Sequence, residues 1–371
     1  MNWARMVPSK HLLSGSAVVQ RLRRWLLVLP ALALAPVVVA APPSSTKKAA
    51  AEPAGYSVKR PEVRSFVDEM VAEERFDRRE LVRWLGQARY QPKIIEAMHR
   101  PFVEPPKWYE YAPRFLSADR VDTGVAFMRR NAAALQRAQD EYGVPPEIVT
   151  AIIGVETFYG RNLGSHRVID ALSTLAFDYP RRASFFRGEL KQFLLFAREQ
   201  HISPLDPKGS FAGAVGVPQF MPGSVRRYAI DFDGDGHVDL WRSEEDAIGS
   251  VANYLARHDW LRGQPIALPA FIADSGRDAA LQRIDGNLSE RRPLSAWNAD
   301  NVWAVAAPAD LSPEPVGLLQ LEEQPSGDDN ASYWIACPNF YAITRYNKSP
   351  LYAAAVWRLS ELLRVSVALA R

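Results

Sequence analysis

Apolar residues recur at helical spacing along most of the chain. Val63, Phe66, Val67, Met70 and Val71 share one face of a helix predicted over 61–76. Asp77, with Glu80 three residues on, has the spacing of a capping box and opens a second helix striped by Leu81, Trp84 and Leu85. Residues 100–116, rich in Pro and aromatics, read as a long packed loop. A helix over 121–142 is closed by Gly143, and Pro145-Pro146 opens the next. Further helices are expected over 184–200, with Phe185, Phe186, Leu190, Phe193 and Leu194 inward, and over 246–260. Between them, 209–224 is a Gly/Pro-rich loop. From 264 to 335 the period changes. Short apolar runs (266–268, 302–306, 316–321, 333–335) alternate with Pro, Gly, Asp and Asn clusters, the texture of a small β-rich insertion. Ser349-Pro350 then caps a last helix to about 364. No repeat with a period of 20–50 residues is visible.

The N-terminus has a different pattern. Arg21, Arg23 and Arg24 precede an uncharged apolar run, 25–41, followed by small residues and Pro42-Pro43-Ser44-Ser45. That is the order of an export signal, and the run lies at the short edge of a membrane span. A cleaved signal is the first expectation for 1–40 and an uncleaved anchor the second. Residues 41–60 read as a Pro/Ala/Lys-rich linker. No Cys follows the apolar run, so attachment through a lipidated N-terminal Cys is excluded, and a periplasm-like location is expected.

Composition narrows the classes. The 371 residues are 47% hydrophobic and 23% charged, which excludes disordered, collagen-like and coiled-coil chains. One cysteine, Cys337, forbids an intrachain disulfide and any multi-cysteine metal site. No His-Glu-x-x-His occurs among the six histidines. The net charge of +3 belongs to the leader: beyond residue 40 there are 40 basic and 42 acidic residues. Bulk charge therefore gives no case for nucleic acid as a partner.

One acid sits on the wrong face. On a helical wheel with Glu156 at zero, Val149 falls at about 20°, Ile152 at about −40° and Ile153 at about 60°. Loss of hydration favours the protonated carboxyl, and the carbonyl end of the helix disfavours further negative charge. A neutral acid near pH 6–7 is suited to protonate a leaving oxygen. The plainer reading is a buried Glu paired with an Arg, Arg161 being the nearest in sequence.

A second motif is acidic. Asp231, Asp233 and Asp235, with Gly236 at the sixth position, follow the EF-hand spacing, and His237 would add its backbone oxygen. Position 12 is Arg242, so the usual bidentate Glu is missing; Glu244, Glu245 and Asp246 come slightly later. A metal-free Asp/Gly turn is the alternative.

Five blocks carry a family likeness: 154–160 (GVETFYG), 180–182 (PRR), 212–222 (AGAVGVPQFMP), 231–241 and 339–347 (NFYAITRYN). In this order they resemble the membrane-bound lytic murein transglycosylase B family over roughly 60–365. The resemblance implies a mainly α (α+β) fold: a lysozyme-like helical core (111–263) containing the EF-hand-like loop (231–246), an N-terminal α region (61–110), a small β-rich domain (264–335) and a return to the core (336–371). It implies cleavage of the β-1,4 bond between N-acetylmuramic acid and N-acetylglucosamine without water, leaving 1,6-anhydro ends, with Glu156 as sole acid and then base. It further implies Ser210 and Gln219 as ligands of acetamido and hydroxyl groups, and Arg181 and Arg182 as partners of peptide or lactyl carboxylates. Tyr111, Tyr254, Tyr341 and Tyr346 would stack on or donate to sugars, and Asn339 would line the groove. For the tyrosines the alternative is a core ring with a satisfied hydroxyl; for the arginines, a surface cluster at a helix end.

The family's last metal ligand aligns with Asp246, giving a structural Ca2+ and no organic cofactor. The expected partners are peptidoglycan glycan strands, with cell-wall synthesis or division proteins as further candidates, and a monomer is expected. The chain departs from the family pattern at Val215, Gly223 and the missing lipidation Cys. Competing readings are a muramidase hydrolysing the same bond, a non-catalytic wall-binding protein and a calcium-responsive structural protein.

Overall fold

Burial follows the apolar spacing closely in the computed structural model, which describes residues 55–99, 106–325 and 330–369. The expected leader and the linker up to residue 54 lie outside the described residues, as do 100–105 of the expected loop. Pro61–Glu74 buries Val63, Phe66, Val67 and Met70 and stops at Arg75, whose φ of 57° is left-handed. Asp77 caps Arg78–Gln87 by accepting the Glu80 N–H at 2.9 Å. Among the described residues, no helix is long and apolar enough to cross a membrane.

Four expectations are corrected. The helix expected over 121–142 is two, Ala118–Arg130 and Ala132–Tyr142, because Asn131 leaves helical geometry (φ −107°, ψ 20°). Its side-chain amide donates to Phe127 O (3.1 Å) and to Glu244 (2.5 Å), the competition with the backbone that makes Asn a poor interior residue. Phe185 is 41% exposed rather than inward, with the Arg182 guanidinium 4.3 Å above its ring. The loop expected over 100–116 contains the helical turn Trp108–Tyr111 and the 3-10 turn Ala112–Arg114. The loop expected over 209–224 yields to the helix Pro222–Tyr228, which Pro222 opens. Among the helices that were not anticipated, two lie in the helical part before residue 264. Pro92–Met98 is short, and Val168–Asp178 is buried from Val168 to Phe177, so it shows no polar face to read.

The helix Pro146–Thr157 runs through the centre, with nine of its twelve residues buried. Ala118–Arg130, Ala132–Tyr142, Glu244–Ala256 and the C-terminal helix Pro350–Leu369 pack around it. The helix Ala183–Glu199 lies against Val168–Asp178.

Eight strands, counted among the described residues, complete the fold. β1 (His166–Arg167) and β2 (Lys208–Gly209) form a small antiparallel pair. β3 (Ala267–Ile272), β4 (Ile284–Asp285), β5 (Leu288–Ser289), β6 (Val302–Ala304), β7 (Gly317–Glu322) and β8 (Ala331–Ala336) make an antiparallel sheet in the order β4-β5-β7-β8-β3-β6. Two helices, Asp274–Leu281 and Leu294–Ala299, interrupt it in sequence. Period-two alternation decides what each face covers. Leu318 and Ile335, partners in register, turn to a small separate core around the buried Trp297. Leu319 and Leu321 turn to the main helical core. Trp334, the partner of Leu319, meets Trp357 of the C-terminal helix edge-on at 4.7 Å. Each fully buried Leu or Ile contributes about 1.5–3 kcal/mol to this arrangement.

Candidate active site

The Pro146–Thr157 helix ends one residue after Glu156. Phe158 (φ 53°), Tyr159 (φ 59°) and Gly160 (φ 86°) are all left-handed, which folds the chain back on itself. Gly154 permits this return: a Cβ there would lie 2.6 Å from the Tyr159 hydroxyl. Thr157, fully buried, donates to Val217 O (2.9 Å) and accepts the Gly160 N–H (3.0 Å), tying the helix end to the Gly-rich loop. Arg120 donates to Gly154 O and lies 4.5 Å from the Phe158 ring centre, so a cation covers the carbonyl end of the helix.

Glu156 keeps a narrow opening to solvent, and its carboxyl is otherwise enclosed by protein atoms. Tyr352, from the C-terminal helix, donates to Oε1 at 2.6 Å. Burial pushes the carboxyl up to about 7 and outweighs the Tyr352 hydrogen bond, which favours the charged form. Arg161 does not neutralise it: that guanidinium faces Asp119 (3.8 Å) and Thr123 (3.3 Å). The buried-ion-pair reading is therefore corrected, and Glu156 has no cation partner among the described residues.

Tyrosines surround the acid. Tyr346 stacks on Tyr352 (6.4 Å, 14°) and packs against Tyr254 at 4.8 Å. Glu156 is a charge neighbour of Tyr111, Tyr346 and Tyr352, raising each hydroxyl's pKa further after burial has done most. The hydroxyls of Tyr346 and Tyr254 donate to Pro218 O and Arg345 O, each at 2.6 Å. They hold the loop and the Pro338–Thr344 helix end.

Ser210 and Gln219 come together in a cleft of about 550 Å³ with Arg161 and Phe211, directly after the Glu156 turn. Ser210 Oγ accepts from Ala212 N and Ala214 N, which leaves its proton to donate. Gln219 (φ 49°) commits its amide nitrogen to Gly216 O and Leu163 O. Arg181 and Arg182 lie exposed on the 3-10 turn Pro180–Arg182, and no described contact joins them to Glu156. Two expectations fail here. Asn339 is fully buried and spends its amide on Leu261 and Gln264, clasping a turn rather than lining a groove. Tyr341 lies in a different cavity, among Arg291 and Arg345. Tyr352 was not anticipated. It sits in an apolar run and meets Glu156 across 196 residues, which no local pattern records.

The acidic loop gathers Asp231, Asp233 and Asp246, with carboxylate oxygens within 4.8 Å of one another. Asp246 is 1% exposed and accepts N–H groups from Phe232 (2.7 Å), Asp233 (3.3 Å) and Asp239 (2.8 Å). Burial and the nearby Asp233 push its carboxyl up. Glu244 and Glu245 are drawn off by Arg130 and Arg137, which leaves Asp246 to close the loop. Three carboxylates with a buried member lacking a cation form an all-oxygen donor set suited to a hard divalent ion. Asp235 is not among these three carboxylates. The Asp235 carboxylate accepts from the His237 N–H (2.8 Å), closing a local turn.

Comparison with known proteins follows the same lines. Residues 59–361 match the family described as "Transglycosylase SLT domain". Membrane-bound lytic murein transglycosylase B of Escherichia coli (strain K12) is 43% identical over 327 residues, 84% of each chain. The crystal structure of soluble lytic transglycosylase SltB1 from Pseudomonas aeruginosa superposes with a TM-score of 0.76, at 44% identity over 82% of this chain and 99% of that one. The Escherichia coli lytic transglycosylase Slt35 in complex with calcium gives a TM-score of 0.76, at 39% identity over 88% of this chain and 99% of that one.

Proposed function

Because this chain belongs to the transglycosylase SLT-domain family, and is accordingly a lytic transglycosylase acting on peptidoglycan, we propose that Glu156 alone supplies both proton transfers of the cleavage. The neutral carboxyl gives its proton to the departing sugar oxygen as the glycosidic bond breaks. The substrate acetamido oxygen supports the anomeric carbon in place of a second carboxylate. Glu156, now ionised, takes the proton of the muramic C6 hydroxyl as that oxygen attacks. The product ends in 1,6-anhydro sugar and the carboxyl returns to its starting form. The observation that carries this reading is a buried carboxyl raised to about 7, with a tyrosine donor and no cation beside it. Among the described residues, no second carboxylate adds to the shift of Glu156, as the partner a retaining glycosidase uses would.

Ser210 and Gln219 would hold the acetamido and hydroxyl groups in the cleft, with Tyr111, Tyr254 and Tyr346 as its aromatic wall. Arg181 and Arg182 would meet carboxylates of the peptide-bearing strand. Asp231, Asp233 and Asp246 would hold a structural calcium ion, which supplies charge neutralisation; no step of the reaction runs through it. The arginine-led apolar run at 21–41 supports export to the periplasm without a lipid anchor, with 264–335 as the small β-rich domain of a monomer.

Mass spectrometry of digested peptidoglycan tests the chemistry. Anhydro ends are expected, and reducing ends in their place would identify a muramidase. Glu156→Gln is expected to lower cleavage by at least about a thousandfold while binding persists.

A further inference from the structure

A second cavity, of about 500 Å³, opens where the segment after Glu244–Ala256 meets the Pro338–Thr344 helix and the chain before β7. Its wall carries charges of both signs, Arg291 and Arg345 with Asp259 and Glu314. None of the four forms an ion pair among the described residues. Arg291 is held in place: its Nε donates to Pro315 O (2.9 Å) and its guanidinium lies 4.6 Å over the Tyr341 ring. Its two terminal nitrogens have no acceptor among the described residues. His258 Nδ1 is engaged with Tyr254 O (2.7 Å), which leaves Nε2 of the neutral ring as an acceptor. A fixed fork of donors and separate acidic groups around one concavity match a ligand that carries carboxylate and ammonium together.

We propose that this cavity binds the peptide portion of peptidoglycan through its free carboxylate and its side-chain ammonium, so that the enzyme reads peptide-bearing strands at a site separate from Glu156. The proposal rests on the peptidoglycan reading above. Tyr254 connects the two sites. Tyr254 stacks on His258 (4.1 Å), packs against Tyr346 of the Glu156 cluster (4.8 Å) and holds Arg345 O through its hydroxyl (2.6 Å). The volume is within the usual range for a short peptide or drug-sized ligand.

Calorimetric titration of the full chain carrying Glu156→Gln with the synthetic N-acetylated tetrapeptide Ala-Glu-Lys-Ala, whose acetyl amide stands in for the lactyl link, is the direct test. Binding is expected, weakened at least tenfold by Arg345→Glu, by Arg291→Ala, or by blocking the peptide through acetylation of its lysine and amidation of its C-terminus. Arg345 is exposed, so its variant reports even if Arg291→Ala disturbs the fold. With the active enzyme, Arg345→Glu is expected to raise KM for peptide-bearing glycan and leave turnover of peptide-stripped glycan unchanged. No binding, equal binding of the blocked peptide, or a KM change on both glycans overturns the proposal. Because titration does not require cleavage, a failure of the single-carboxylate mechanism leaves a separate signature, the absence of anhydro ends.

Discussion

Glu156 is a carboxyl whose own fold works against its charge. Raised to about 7, it stays protonated in the folded chain over a pH range where the unfolded chain has lost the proton. The folded state then binds more protons, so stability falls as pH rises from about 4.5 through about 7. Glu156→Gln removes that penalty. Its stability gain over wild type should be absent near pH 4, grow through this window and level off above it, on the order of 3 kcal/mol. Urea unfolding at pH 4.5 and pH 8 measures it; equal differences at both would show an ordinary carboxyl. Tyr352 acts in the other direction, since its hydrogen bond favours the ionised form. Tyr352→Phe should move the alkaline limb of kcat/KM upward by about one pH unit, with little loss at pH 5. A limb that stays in place would assign Tyr352 to packing alone. The acid was legible in sequence because a charged residue among Val149, Ile152 and Ile153 breaks a pattern. Tyr352 breaks none, so its role emerges only from packing between distant segments.

Short elements transmit position from one motif to the next. Asp246 gathers the N–H groups of Phe232 and Asp239; the adjoining Leu240 O accepts the Val217 N–H (2.7 Å), and Val217 O accepts from Thr157, beside Glu156. Gly216 (φ 71°) allows the close approach, since a Cβ there would lie 2.6 Å from Leu240. The acidic loop is therefore a strut for the turn that carries Glu156. Calcium binding at a hundredfold excess over its dissociation constant would add about 2.7 kcal/mol. Chelation should lower both the thermal midpoint and the cleavage rate, and calcium should restore both. In Asp246→Ala neither should respond. A chelator without effect on wild type would leave the loop as a metal-free turn. The EF-hand spacing announced this loop, but it could not say that Asp235 turns inward on His237. Nor did periodicity reveal Val168–Asp178, because a helix buried on all sides has no polar phase to detect.

Across the whole molecule, the change of period at 264 marked where helices give way to sheet, and the ordered motif blocks identified the lysozyme-like core. What stayed hidden was how the parts close on one another. Leu318 and Leu319, neighbours in β7, serve two different cores, and Trp334 carries the sheet onto Trp357 of the last helix. Such docking depends on strand register, which spacing alone leaves undetermined. The last helix has one more consequence. A ribosome delivers position 156 well before position 352, so a nascent chain holds Glu156 without the tyrosine that hydrogen-bonds it. The group that tunes the acid is thus added last, together with the helix that packs against Pro146–Thr157.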